Sequence, residues 1–156
     1  MNLCLEVSDM PGSIISMRLC LGSRDPMKDV KEANFITGQG MEGDRHLRSD
    51  GRRSNRQVLI MDSETLNDFD LLPGQVRENV TVQGLDFASI SAGDRVSLGA
   101  DVILEITGDC EPCSRMDELR AGLKDEIDGK RGLLAYVEKG GLVSVGAEVG
   151  VNVLKA

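Results

Sequence analysis

Ser91-Ala92-Gly93-Asp94-Arg95-Val96-Ser97-Leu98-Gly99-Ala100-Asp101-Val102-Ile103-Leu104-Glu105-Ile106-Thr107 reads as two short strands, 95–98 and 102–107, each entered through a glycine turn. The same pattern continues downstream. Segments 132–137, 142–145 and 149–154 are apolar and strand-like, with turns at Gly140-Gly141 and at 146–148. Upstream, 12–22 alternates loosely through Ile14, Ile15, Met17, Leu19 and Leu21, and 30–37 is a further extended candidate. Residues 57–61 form a continuous apolar run, the mark of a buried strand, and 75–84 reads as a strand with charged residues at its start. Residues 1–12 read as a tail or a first edge strand. Short strands at close, regular spacing predict a mainly β fold, a barrel or sandwich with a few short helices.

Two helices interrupt the strands. Asp62 or Ser63 caps one through about Leu72, where Pro73-Gly74 stops it. The other spans 114–127, with Met116, Leu119, Leu123 and Ile127 at near-helical spacing as core residues. Ser114 and Asp117 resemble a capping pair, while Gly122 weakens this helix and divides it. No βαβ alternation, internal repeat or linker is visible, so 1–156 is expected to be a single domain.

The net charge of −8 disfavours nucleic acid as a partner, and scarce aromatics remove the stacking platforms of single-strand binders. The N-terminus has no basic region and no long apolar run, so a cytoplasmic protein without a membrane span is expected. Four cysteines in 156 residues do not make a disulfide framework; they fit a reducing compartment with a few special thiols.

Two of those thiols fall in Thr107-Gly108-Asp109-Cys110-Glu111-Pro112-Cys113-Ser114-Arg115-Met116, on the turn from a strand into a helix. A Cys-x-x-Cys pair there reads as a zinc half-site, a redox pair, a sulfur carrier or two buried small residues. Structural zinc needs two more nitrogen or sulfur ligands, which Cys4, Cys20 and His46 supply only if the fold converges them. A thioredoxin-like motif wants a βαβ context. The functional reading is preferred. Cys113 stands at the helix start beside Arg115, and both features favour the thiolate, which is the nucleophile and the soft metal ligand. Cys110 is expected to assist. Cys4 and Cys20 receive no role.

One basic block stands out in the acidic chain: Arg45, His46, Arg48, Arg52, Arg53 and Arg56. It follows the loop Gly38-Gln39-Gly40-Met41-Glu42-Gly43, whose amides can approach an anion. Arg45, His46 and Arg56, with Arg77 near by in sequence to Glu78-Asn79, are expected to hold the anionic part of a ligand. Arg48, Arg52 and Arg53 divide evenly between that role and a solvated loop. Asp44 is expected to fix the loop or to pair with an arginine.

Taken in order, Gly43-Asp44-Arg45-His46, Leu72-Pro73-Gly74, Glu78-Asn79-Val80-Thr81, Gly93-Asp94, Cys110-Glu111-Pro112-Cys113, Arg131-Gly132 and the Gly146 hairpin resemble a MOSC domain, named for the C-terminal domain of the molybdenum cofactor sulfurases. The resemblance implies a β-barrel-rich fold and a role in sulfur handling or molybdenum-cofactor (molybdopterin) chemistry. It places the essential cysteine, as persulfide carrier or molybdenum ligand, at Cys113, and gives Glu78 and Asn79, with Arg115, a part in binding the cofactor. The chain resembles the small stand-alone type, without the pyridoxal-phosphate domain of the full sulfurases. Implied partners are a sulfur donor such as a cysteine desulfurase, or an electron-donating reductase. The alternatives are a molybdenum-cofactor-dependent reductase of N-hydroxylated compounds and a non-catalytic cofactor- or partner-binding module.

Overall fold

The structure, a computed structural model, describes residues 12–152. The expected tail at 1–11 and the end of the last strand lie outside them. Eleven strands and three short helices follow one another as β1 (Gly12–Leu19), β2 (Lys28–Val30), β3 (Glu32–Ile36), β4 (Gly40–Met41), β5 (Val58–Asp62), α1 (Ser63–Asp68), β6 (Val80–Gln83), β7 (Arg95–Leu98), β8 (Val102–Asp109), α2 (Ser114–Leu119), α3 (Leu123–Glu126), β9 (Leu133–Lys139), β10 (Gly141–Ser144) and β11 (Glu148–Asn152).

Strand order around the main sheet is β11-β7-β8-β9-β5-β6-β1, and β11 pairs again with β1. The sheet therefore closes into a seven-stranded barrel, with β2 as a flange on β1. A ring with an odd number of strands cannot be antiparallel throughout. The one parallel pair is β5–β6, with Ile60 opposite Val80. Parallel neighbours need a crossover, here α1 and the turns that follow it. The sequence reading saw no βαβ unit; ring closure requires this single one.

Alternation fills the barrel. Val102, Leu104 and Ile106 of β8 and Leu133, Ala135 and Val137 of β9 point inward. All five residues of β5 are buried because its outer face is also covered. Met61 turns outward into a second cluster with Leu66, Leu71, Val76, Met116, Leu123 and Ile127. That cluster seats the helices beside the β8–α2 turn.

The helices differ from expectation in instructive ways. The first ends at Asp68, because Asp70 takes a left-handed backbone (φ 56°) that breaks the apolar pattern 69–72. The second divides at Gly122 (φ 86°) into α2 and α3, as its glycine suggested. Leu119 falls on the outer side of that break and is 40% exposed. The Ser114–Asp117 cap is not formed: Cys113 occupies the cap position and Asp117 instead accepts from the Lys124 amide (2.9 Å). Residues 75–79 are not strand either, and the chain joins the sheet at Val80.

Gly132 marks where packing meets the site. Its φ is 113°, and a Cβ there would stand 2.6 Å from the Ile60 carbonyl oxygen and 3.3 Å from Met61 Sδ. Its own carbonyl accepts from the Cys110 amide (3.0 Å). Gly132→Ala is expected to cost about 2–3 kcal/mol in urea unfolding, since both the backbone and the clash oppose it. A loss below about 0.5 kcal/mol would mean that strand β5 yields there.

Candidate functional site

Strands β8, β9, β5, β6 and β1 lie side by side in that order. Their outer face carries a cavity of about 300 Å³. Leu59 and Leu134 form its apolar floor, since they alternate with the inward residues Val58, Ile60, Leu133 and Ala135. Cys110 enters from the end of β8, Asn79 from just before β6, and Cys20 from just after β1. Cys113 and Arg115, at the start of α2, close one side; Arg45, His46 and Arg56 close another. Arg77 and Arg131 complete the wall, in which Glu111 is the one carboxylate among the described residues. Five guanidiniums against one carboxylate make a site for an anion.

Buried Asp44 holds this wall together. One of its oxygens accepts from the Cys20 amide (2.6 Å) and the Asn79 amide nitrogen (3.0 Å). The other accepts from the His46 backbone amide and meets His46 Nδ1, each at 2.9 Å. Burial pushes the Asp44 carboxyl up, but the hydrogen bonds from His46 and Cys20 outweigh it and hold the group below its ordinary value. Asp44→Asn is expected to cost about 2–3 kcal/mol at neutral pH, because an amide cannot accept all four bonds and leaves buried donors unpaired. The sign with pH follows from the lowered value. The carboxylate's contribution is complete above the ordinary aspartate range, about pH 4, and is lost as pH falls through the lowered folded value. Urea titrations of the two proteins should therefore converge in acid; a constant gap at all pH values would contradict this role.

Arg77 has a left-handed backbone (φ 64°), a conformation that costs a non-glycine residue about 1–2 kcal/mol. Its guanidinium donates to the carbonyls of Gly22 (2.8 Å) and Asp25 (3.0 Å) and reaches Cys20 Sγ at 3.2 Å. Arg131, 8% exposed, mirrors it: it reaches Cys110 Sγ at 2.8 Å and donates to the carbonyls of Glu111 (3.2 Å) and Val76 (3.1 Å). Its Nε is buried with no acceptor among the described residues. The sulfur of half-buried Cys113 has no hydrogen-bond partner there, nor do the side chains of Arg45 and Arg56.

Of the residues singled out in the sequence, Cys110, Cys113, Arg45, His46, Arg56, Arg77, Asn79 and Arg115 all line this cavity. Glu78 does not. It is fully buried, and its carboxylate accepts from the Gly74 amide (2.9 Å) and the Thr81 hydroxyl (2.8 Å) while pairing with Arg18. Asn79 is present, but its amide nitrogen donates to Asp44 and to the Arg18 carbonyl, and its oxygen accepts from the Leu59 amide (3.0 Å). Its polar head therefore serves the wall. The amides around the glycine loop are also taken by the chain: those of Gly38 and Arg45 donate to the carbonyls of Val137 and Cys20. Arg48 pairs with Asp50, and Arg53 stacks over Tyr136 (3.9 Å) and pairs with Glu105 (3.2 Å), away from the cavity. Cys20, Arg131, Leu59 and Leu134 were not read as site residues. The deciding partners of Cys20 and Arg131, namely Arg77 and Cys110, are 57 and 21 residues away in sequence, in the turns before β6 and after β8.

Among the described residues, no group of three or more histidine, cysteine, aspartate or glutamate side chains is placed to hold a metal ion by itself. None of their helices is long and apolar enough to cross a membrane.

The fold is shared with solved structures. YuaD of Bacillus subtilis superposes with a TM-score of 0.81 at 21% identity, over 94% of this chain and 98% of that one. YiiM of Geobacillus stearothermophilus gives 0.70 at 19% identity, over 90% and 75%. YiiM of Escherichia coli gives 0.65 at 19% identity, over 92% and 71%. No curated protein matches the chain. The family model of the MOSC domain matches residues 44–150, a span that holds Asp44, the basic block, Glu78-Asn79 and both cysteines of the β8–α2 turn. With the closed barrel and the order of these motifs, the match establishes that the chain belongs to the MOSC domain family, which is associated with molybdenum-cofactor binding or sulfur handling.

Proposed function

We propose that the cavity receives an anionic, sulfur-bearing ligand or partner group and that Cys113 accepts its sulfur as a persulfide. The observation that carries this is the contrast among the cavity's three thiols. Cys20 and Cys110 are buried under guanidiniums, whereas Cys113 is half-buried, with a sulfur free to react. In the uptake step the Cys113 thiolate attacks the outer sulfur of a donor persulfide, R–S–SH. A new S–S bond forms at Cys113, the donor's S–S bond breaks, and R–S⁻ leaves and takes up a proton. No electron acceptor is needed. A persulfidated cysteine on a sulfur-donor protein such as a cysteine desulfurase is the fitting source.

Arg45, Arg56 and Arg115 supply fork-shaped donors for phosphate or another oxyanion at the same place. This donor set also fits the family's phosphate-bearing molybdenum cofactor. Those arginines would hold its phosphate, Arg131 Nε, which has no acceptor among the described residues, would be a further donor in the wall, and Cys113 would be the soft ligand. When bound, that group supplies a redox-active metal centre. The chain's own contribution is to bind the anion, keep carboxylates away and present one thiol.

The test is exposure of reduced protein to a low-molecular-weight persulfide donor, followed by intact mass measurement. Gain of one sulfur atom per chain, slowed by added salt, is expected. Complete donor turnover with an unchanged protein mass would remove the proposal.

A further inference from the structure

Cys20, like Cys110, has no place in the uptake step, yet its sulfur and its backbone are both held. Cys20 follows β1 and lies in the cavity wall, almost fully buried. Its backbone is fixed on both sides: its amide donates to Asp44, and its carbonyl accepts from the Arg45 amide at 2.8 Å. Its sulfur meets the Arg77 guanidinium, which is carried by a backbone held in a left-handed conformation. Strain of this kind persists only where surrounding structure enforces it.

The segment bearing Cys20 is also tied to the helix that begins at Cys113. Arg115 of α2 donates to the Ser23 carbonyl, and Arg24 pairs with Glu118 of the same helix at 2.9 Å. Arg77 adds its bonds to Gly22 and Asp25. Residues 20–25 are thus clamped between the Arg77 turn and α2, and Cys20 and Cys113 face one small cavity from different chain segments.

We infer that Cys20 is a second sulfur acceptor, to which the outer sulfur passes from Cys113 inside the cavity. The inference rests on sulfur uptake at Cys113. In this step the Cys20 thiolate attacks the outer sulfur of the Cys113 persulfide. A bond from Cys20 to that sulfur forms, the bond from Cys113 to it breaks, and Cys113 is returned as a thiolate while the proton on the outer sulfur travels with it. Atoms and electrons balance with no oxidant or reductant. Arg77, itself in the cavity wall, lies against the Cys20 sulfur that makes the attack. The transfer would leave Cys113 free for another donor and keep the carried sulfur on the buried side of the site.

The experiment is a brief pulse of glutathione persulfide at less than one equivalent, quenched at intervals with an alkylating reagent and mapped by peptide mass spectrometry. In wild type, label should appear first on Cys113 and later on Cys20. In Cys20→Ser it should stay on Cys113, and in Cys113→Ser labelling of Cys20 should fall at least tenfold. Label confined to Cys113 in wild type at all times, or moving to Cys110 instead, overturns the relay while leaving uptake intact. Equal labelling of Cys20 in Cys113→Ser also overturns it. No label on any cysteine removes the uptake reading and the relay together. The wild-type time course needs no variant, so a Cys20→Ser protein that does not fold leaves the test decisive.

Discussion

Cys113→Ser should abolish sulfur uptake, bringing the gain in mass on donor treatment down to that of a blank, while the fold is kept. Cys113 occupies the cap position of α2 without a side-chain capping bond, so a serine of nearly the same size fits there with no packing loss. The chemistry does not survive the exchange, because a serine hydroxyl without an adjacent base is not ionised near neutrality and is a poor sulfur nucleophile. Cys110→Ser is the informative contrast. Cys110 is buried and engaged by Arg131, so its loss should weaken the turn by about 1 kcal/mol and leave uptake in place. Thermal unfolding and intact mass on the same samples separate the two effects. Uptake in Cys113→Ser equal to wild type would place the acceptor elsewhere in the cavity.

The second large effect lies beneath the site. Arg18→Met is expected to destabilise the protein by about 3–5 kcal/mol, because it strands a buried carboxylate. Arg18 is 3% exposed and Glu78 0% exposed. The Arg18 guanidinium donates to the Glu78 carbonyl (3.0 Å), the Thr81 hydroxyl (2.9 Å) and the Ser16 hydroxyl (2.5 Å), and stands 3.6 Å from the Glu78 carboxylate. One carboxylate oxygen, Oε1, already lacks a partner among the described residues, so removal of the cation leaves little to compensate the charge. Glu78→Gln in the Arg18→Met background should recover about 1–2 kcal/mol, since the stranded group is then neutral. Urea unfolding of the four proteins of this cycle measures the coupling directly. Strictly additive losses would show that the pair does not act as a unit. Because Glu78 also accepts from the Gly74 amide at the start of the Arg77 turn, the single variants should loosen the cavity wall as well.

What could be read from the chain was governed by locality. Strands β7, β8, β9 and β11 alternate between a filled barrel and an outer face, so residues such as Val102, Leu104 and Ile106 declare themselves. The β8–α2 turn and the Arg45-His46 pair were legible because a turn, a thiol and a charge sit together in sequence. The rest depends on closure. The parallel β5–β6 pair follows from an odd number of strands meeting in a ring, which no local pattern encodes. Glu78 had a part in ligand binding only through the family resemblance; its partner Arg18 is 60 residues away, in a strand whose alternation gave no sign of a buried cation. Cys20 received no role from the sequence, and only the pairing of β1 with β6 brings it to Arg77 and the cavity. Of the two roles expected for Asp44, fixing its loop or pairing with an arginine, the structure has the first, through His46, and it reaches across to Cys20 and Asn79 as well.

The most direct measurement is intact mass with metal analysis on protein isolated without reductant from cells with an active molybdenum-cofactor pathway. One additional sulfur per chain, mapped to Cys113 or Cys20 and absent from Cys113→Ser, is the expected result. Stoichiometric molybdenum and pterin on a chain whose cysteines carry no added sulfur would contradict sulfur carriage and make the cavity a cofactor site.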